Sequence, residues 1–548
     1  MAGGTPAHTI EVRRKRVVYA LLALIVACAA VYSVATAVGP SYFGDDIAYA
    51  NYAHAVVQGM FHQNTGDVLS IRILQIYPIA FFYLIFSATQ VSSSGWDILS
   101  FIATLVIVFY IGRELYNEYA GLVAAALLAF MPTVLQISGT MSDNPPMMFM
   151  VSLAMLALLL GQNRGSRRWY FVCGAALVAA FLIIPEGLFA IGVVALYLIA
   201  RFFFKRPRID RHVQYILYGF LVAVAVLLLF NYLNADNPLI TFSFTFNYFQ
   251  TNSYNFAPQN GNLAFYPNTM FPYHVLGTLY NDTLKLSLNP VAVWSQIYSG
   301  MGYSGTWNNS ATYNNVGFYF YIAVLAALFL IARKEKRAYF VLFWFIVGLL
   351  IMEFDPYHVT LSPFSYLLQH RLDRYLTFIA PPAVLMIAIA AVRIVDKARS
   401  NRSFYLRMLL ATSIILFLIT TAIPIDMLWH SVQAYEASSQ VQIARYLDGL
   451  ANTTRIYFNS GQAIPIYMGF KNYSRFIIYD QIDNCTQLMP NSYIALNVYT
   501  RVYDTDYTPA AVNPCTGWVP IALPQEQNVS QQVFTPGSFA QAELYYIP

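Results

Sequence analysis

Two adjacent carboxylates, Asp45 and Asp46, follow the first long apolar run of the chain, and a lone carboxylate, Asp143, follows a later one. Neighbouring acids in a part-buried site cannot both ionise freely, so one of them is suited to take a proton from a hydroxyl. Asp45, Asp46 and Asp143 are therefore the candidate catalytic residues. A second reading stands beside this one. Gly44-Asp45-Asp46 and Ser142-Asp143-Asn144, the latter just before Pro145 and Pro146, also have the composition of helix N-termini. If residues 46–58 form a helix, Tyr49, Tyr52 and Ala53 share a face with the acids at three- and four-residue spacing. Aromatic rings beside carboxylates suit the holding of a sugar.

Cations on the same side of the chain are scarce. Arg72, Lys285, Arg371 and Arg374 remain. Arg371 and Arg374, three apart before a late apolar run, can point at one anion, and with Arg72 they are candidate phosphate ligands, since arginine matches phosphate geometry. The alternative is that they reach to lipid headgroups or pair with Asp373. His370 and Tyr375 flank them and join Tyr49 and Tyr52 as candidate substrate contacts. His358 and His370 are read as surface or core histidines, not metal ligands. Glu186, in the turn Pro185-Glu186-Gly187, is expected to be solvated. Two or three carboxylates among Asp45, Asp46 and Asp143 are compatible with a divalent ion, but the sequence does not require one. No nucleotide or redox cofactor is called for. Cys28 and Cys173 lie in apolar runs; Cys485 and Cys515 lie in the polar tail, where they can pair as a disulfide if that tail is outside the cell.

The elements that must position these residues are membrane helices. Of the 548 residues 58% are hydrophobic and 10% charged, against about 25% charged in soluble domains. The net charge of +5 comes from short basic clusters between apolar runs, a topology signal and not a nucleic-acid surface. Arg13-Arg14-Lys15-Arg16 places the N-terminus in the cytoplasm, ahead of an uncleaved first span. Keeping the later clusters inside predicts spans near 17–38, 97–112, 120–138, 146–161, 169–184, 188–203, 213–233, 317–333, 338–353, 375–395 and 406–424. The apolar stretch 71–87 is then a juxtamembrane or re-entrant segment that does not cross. This gives a polytopic α-helical membrane protein of about eleven crossings. Its outer loops fall at about 39–96, 138–145, 234–316 and 354–374. Residues 1–424 form the membrane domain, and residues 425–548 form a small extracytoplasmic α/β domain. Asn-x-Ser/Thr sequons at Asn281, Asn308, Asn452, Asn472, Asn484 and Asn528 fall on the outer side, and one at Asn401 falls inside. A plasma-membrane location fits this pattern.

The order of these motifs resembles the GT-C superfamily of membrane glycosyltransferases, and most closely its protein O-mannosyltransferase and aminoarabinose transferase group. That group has an Asp-Glu pair after the first span with a tyrosine a few residues on; here the pair is Asp45-Asp46, with Asp46 in place of Glu, followed by Tyr49. A Pro-containing juxtamembrane stretch follows, matched by Ile76-Tyr77-Pro78. A second acid ends the third span, matched by Ser142-Asp143. A basic-Tyr motif before prolines is matched by Arg371-Leu372-Asp373-Arg374-Tyr375 and Pro381-Pro382. The resemblance covers about residues 10–425. It implies an inverting transfer of a hexose such as mannose from a polyprenyl- or dolichyl-phosphate to a hydroxyl of a glycan or protein acceptor. Asp45 would then be the base, and the arginines would hold the leaving phosphate. Oligosaccharyltransferase catalytic subunits share the membrane plan and are the alternative, but their Trp-Trp-Asp-Tyr-Gly signature is missing from this sequence. A transporter or flippase of lipid-linked sugars is a further alternative; it would need ionisable groups at the bilayer midplane and internal repeats, and the acids instead cluster at span ends.

Overall fold

Long apolar runs with few charges satisfy their backbone hydrogen bonds within one segment, and so fold as helices. The computed structural model describes residues 6–37, 39, 45–63, 68–205, 211–251, 319–353, 356–361, 364–368, 373–398, 405, 408–409, 411–419, 440–458, 463–471, 473–478, 488–497, 517–521 and 542–548. Among these, five helices are long and apolar enough to cross a membrane. Four lie within α1 (Pro6–Ala35), α5 (Gly95–Leu115), α8 (Asn144–Arg164) and α11 (Gln214–Ala235); the other, Pro185–Phe203, joins the 3-10 turn Pro185–Gly187 to α10 (Leu188–Lys205), and a shorter α12 (Ile240–Thr251) follows α11. The chain is an integral membrane protein.

The expected single span 120–138 is broken. It consists of α6 (Glu118–Ala129) and α7 (Pro132–Ser138), bent by 64°. Pro132 has no N–H to continue the ladder, so the second piece starts afresh with that proline in its first turn. Four further helices fall on expected spans: α9 (Arg167–Ile183), α13 (Tyr319–Ala332), α14 (Tyr339–Glu353) and α15 (Ala380–Ala398). The last of these starts five residues later than the predicted 375. Pro381 and Pro382 are tolerated only in a first turn, so the preceding Asp373–Phe378 is a 3-10 turn. The described part of the last expected span is helical at 411–419.

Between α1 and α5 the chain forms α2 (Asp45–Val57), α3 (Ile73–Phe86) and the one-turn α4 (Gln90–Ser93). Two acids in the first turn of α2 complement its dipole, and Gly59, at φ +69°, closes its far end. The 14 residues of α3 rise about 21 Å, short of the roughly 30 Å hydrocarbon core. Phe81, Leu84, Ile85 and Phe86 on this helix are exposed.

The main core lies among α5, α6, α8, α9, α13, α14 and α15. Small residues let backbones touch: a Cβ on Gly174 would collide with the Ile216 carbonyl of α11, and one on Gly219 with the Phe171 carbonyl of α9. In the 354–374 loop, β1 (Pro356–Leu361) and β2 (Phe364–Leu368) pair as an antiparallel hairpin. The polar C-terminal part contains a five-stranded mixed sheet of order β4-β3-β5-β7-β6. Its strands are β3 (Ile456–Phe458), β4 (Phe476–Ile478), β5 (Ser492–Asn497), β6 (Val519–Pro520) and β7 (Ala542–Ile547). Beside the sheet, the short helix Ile464–Tyr467 and the turn after it reach back to the membrane part. There Ala463, Ile466 and Phe470 share an apolar cluster with Ala50 and Ala53 of α2, Ile79 and Tyr83 of α3, and Met141.

Candidate active site

The three acid-bearing and arginine-bearing segments converge at one end of the bundle. The first turn of α2 supplies Asp45, Asp46 and Tyr49; the residue before α3 supplies Arg72; the residue before α8 supplies Asp143. An isolated parallel bridge joins Gly39, between α1 and α2 in sequence, to Thr140 in the loop that carries Asp143. Gly39 has φ +74°, and a Cβ there would meet the Gln90 backbone at 2.9 Å, so the bridge requires glycine.

Arg72 is the centre. Its Nη1 donates to Asp143 Oδ2 at 2.5 Å, to Asp45 Oδ2 at 3.5 Å, and to the Tyr49 hydroxyl. Tyr49 in turn donates to Asp143 Oδ2 at 3.1 Å. The Asn144 amide donates to Asp143 Oδ1 at 3.1 Å. The three principal side chains differ in exposure: Asp143 is 3% exposed, Arg72 12% and Asp45 39%. Asp143 is locked by three donors, whereas Asp45 has one long contact and a face to solvent. Asp143 occupies the N-cap position of α8, but its side chain caps nothing; of the two sequence readings for this acid, the geometry takes it out of the cap role and into the cluster. Asp46 is buried, and its Oδ1 accepts from the Ile47 amide at 3.0 Å.

Burial disfavours the Arg72 cation, but Tyr49, Asp143, Asp45 and Glu186 around it outweigh that and push its pKa further above its already high ordinary value. Burial raises the Tyr49 phenol well above its ordinary value, against the opposing pull of Arg72, so Tyr49 stays a protonated donor. Glu186 corrects the sequence expectation of a solvated acid: it is 7% exposed, on the 3-10 turn Pro185–Gly187, and its charge acts on Arg72. Its signal in the sequence was its place between two apolar runs with only proline and glycine beside it. Asp97, Gln75 and Asn144, which hold the Asp143 loop, were also missed.

Tyr52 packs edge-on against Phe61, with ring centroids 5.7 Å apart. Arg371, His370, Cys485 and Cys515 lie outside the described residues. Arg374 and Tyr375 lie on the 3-10 turn Asp373–Phe378, which packs against α7 and α8 on either side of Asp143. As for a divalent ion, Asp45 and Asp143 converge on the guanidinium of Arg72, which already supplies a cation there. Among the described residues no group of three or more His, Cys, Asp or Glu is placed to share a metal.

Residues 73–232 match the sequence family described as dolichyl-phosphate-mannose-protein mannosyltransferase. That stretch runs from α3 through α11 and contains Asp143 and Glu186. ArnT from Cupriavidus metallidurans in the apo state is similar in structure, with a TM-score of 0.59, 13% identity, and coverage of 95% of this chain and 97% of that one. The chain has the fold of the GT-C membrane glycosyltransferases. ArnT bound to undecaprenyl phosphate is similar at TM-score 0.53 and 12% identity, over 95% of this chain and 97% of that one. The oligosaccharyltransferase AglB from Archaeoglobus fulgidus, in complex with an inhibitory peptide and a dolichol-phosphate, is similar at TM-score 0.51 and 14% identity, over 88% of this chain and 70% of that one. No curated protein matches the chain by sequence.

Proposed function

We propose that this GT-C chain is an inverting glycosyltransferase that moves a hexose, such as mannose, from a polyprenyl- or dolichyl-phosphate carrier to a hydroxyl of a protein or lipid-linked glycan. The observation that carries this reading is the unequal sharing of Arg72: Asp143 is held tightly and is buried, while Asp45 is held loosely and is exposed. Fold likeness to structures that hold undecaprenyl phosphate and dolichol-phosphate supports a lipid-phosphate donor.

Asp45 is the base. It takes the acceptor's hydroxyl proton as that oxygen bonds to the anomeric carbon. The bond from that carbon to the phosphate oxygen breaks, its electron pair leaves on the polyprenyl phosphate, and the configuration inverts. Arg72, together with Arg371 and Arg374, stabilises the charge that grows on the phosphate. The Nε of Arg72 is buried and has no hydrogen-bond partner among the described residues, so the guanidinium is not saturated by its acids. Asp143 orients Arg72, Asp46 helps to orient the acceptor, and Tyr49, Tyr52, His370 and Tyr375 line the sugar and acceptor sides. The proposal includes a cytoplasmic N-terminus, about eleven crossings, and an active site and residues 425–548 on the outer face of the plasma membrane.

The test uses purified protein in detergent with a panel of polyprenyl-phosphate sugars, following free polyprenyl phosphate for wild type and Asp45→Asn. Turnover that disappears in the variant while donor binding persists supports the reading; no binding of any such lipid by wild type sinks it. The likeness to AglB favours one second reading, an oligosaccharyltransferase-like enzyme. That reading requires transfer of a lipid-linked oligosaccharide to an asparagine-containing peptide, which the same assay can score.

A further inference from the structure

The loop between α7 and α8 spans residues 139–143 and places Asp143 against Arg72. A five-residue loop entering a helix through two prolines has few hydrogen bonds of its own, so its position depends on what grips it. Beside the Gly39–Thr140 bridge, three side chains do. The Ser94 hydroxyl donates to the Gly139 carbonyl at 3.0 Å, and the Gln75 amide, from α3, donates to the Ser142 carbonyl at 3.3 Å. The third grip is a carboxylate. Asp97, in the first turn of α5, is fully buried, and its Oδ1 accepts the Ser142 amide N–H at 3.1 Å.

Asp97 lies where water does not reach it, so the bond it accepts is not exchanged for one to solvent when it is lost. Asp97 and Gln75 grip opposite ends of one residue, the N–H and the C=O of Ser142. Gln75 lies three residues beyond Arg72, on the helix that Arg72 begins. The two contacts therefore set the distance between the Arg72 and Asp143 backbones, and that distance determines how Arg72 is shared with Asp45.

We propose that Asp97 is a positioning residue: by holding the Ser142 amide it fixes Asp143 against Arg72. It touches neither donor nor acceptor. In its catalytic consequence the inference rests on the glycosyltransferase reading above; in its structural half it does not.

The test uses the full chain with two substitutions. Asp97→Leu keeps the volume and removes the acceptor; Asp97→Asn keeps an oxygen that can accept from Ser142. Hydrogen exchange of peptides covering 139–144 and 45–57 is measured first. In Asp97→Leu the amides of 139–144 should exchange about tenfold faster or more, with 45–57 unchanged, because the grip lost is local. Release of polyprenyl phosphate from the donor is measured second. For Asp97→Leu kcat should fall by about 10²-fold, the scale of a misplaced group, with donor KM within about threefold. Asp97→Asn should recover both readouts to within about threefold, since the bond that positions is kept. Unchanged exchange in Asp97→Leu overturns the proposal, as does a variant Asn as impaired as Leu, or a rise in donor KM matching the loss of turnover. If Asp97→Leu does not fold, Asp97→Ala, which places no apolar bulk in the same space, gives the same three readouts. If wild type releases no polyprenyl phosphate from any donor, the transferase reading fails, and the exchange measurement still decides whether Asp97 holds the loop.

Discussion

Arg72 Nη1 and Asp143 Oδ2 meet at 2.5 Å across 71 residues of sequence, joining the start of α3 to the start of α8. Both side chains are largely buried, at 12% and 3% exposed. Breaking such a pair from one side leaves a buried uncompensated charge, which costs about 3–5 kcal/mol, whereas removing both charges can be nearly neutral. Arg72→Met should therefore lower the thermal midpoint in detergent markedly, and Arg72→Met with Asp143→Leu should recover most of that loss. Neither protein should release polyprenyl phosphate. Additive effects of the two substitutions on stability would show that the pair is not coupled.

Tyr49 lies between the same two residues, accepting from Arg72 and donating to Asp143. Tyr49→Phe keeps the ring in its apolar cluster and removes only the hydroxyl. Asp143 retains Arg72 and Asn144, so the loss should be that of one bond to a charged group, about 1.5–3 kcal/mol. The expected result is a correctly folded protein whose turnover falls about 10–100-fold, the same energy expressed as rate. Turnover equal to wild type would remove Tyr49 from the cluster's function.

Because Arg72 supplies the positive charge shared by Asp45 and Asp143, chelation should leave turnover within about twofold, far from the several kcal/mol that a Lewis-acid metal contributes. The measurement is donor cleavage before and after dialysis against EDTA. Loss that is restored by a divalent ion would mean that the acids rearrange around a metal and that Arg72 leaves them.

Much of this was legible in the sequence, and the limit is physical. The apolar runs set the helices because backbone groups in lipid have no other partner. Pro381 and Pro382 could have placed the start of α15, since two prolines fit only a first turn. Asp45, Asp46 and Asp143 stood out because acids beside apolar runs are costly. Arg72 stood out as a phosphate ligand, but not as the shared partner of Asp45 and Asp143, because that pairing is set by packing of α3 against α5 and α9, which no local pattern encodes. Asp97 was hidden for a related reason: an acid in the first turn of a helix looks like a dipole partner, and only the fold reveals that its oxygen holds another segment. The seat of Phe470 on α2 was likewise outside the reach of periodicity.

That seat makes the stability of the C-terminal contact pH-dependent. The His54 ring of α2 lies parallel to Phe470, with centroids 3.9 Å apart and a 6° interplanar angle. Burial lowers the His54 pKa below its ordinary 6.5. The folded state thus binds this proton less readily than the unfolded chain, and stability rises with pH wherever the unfolded state holds more protons. The contribution is complete above about pH 6.5 and declines as pH falls through the folded value. Hydrogen-exchange protection of residues 463–470 should accordingly weaken between pH 7.5 and pH 5. His54→Phe keeps a ring against Phe470 and has nothing to titrate, so the same comparison should show a flatter pH response. Equal pH dependence in both proteins would assign the effect to another group and leave the His54–Phe470 stack as packing alone.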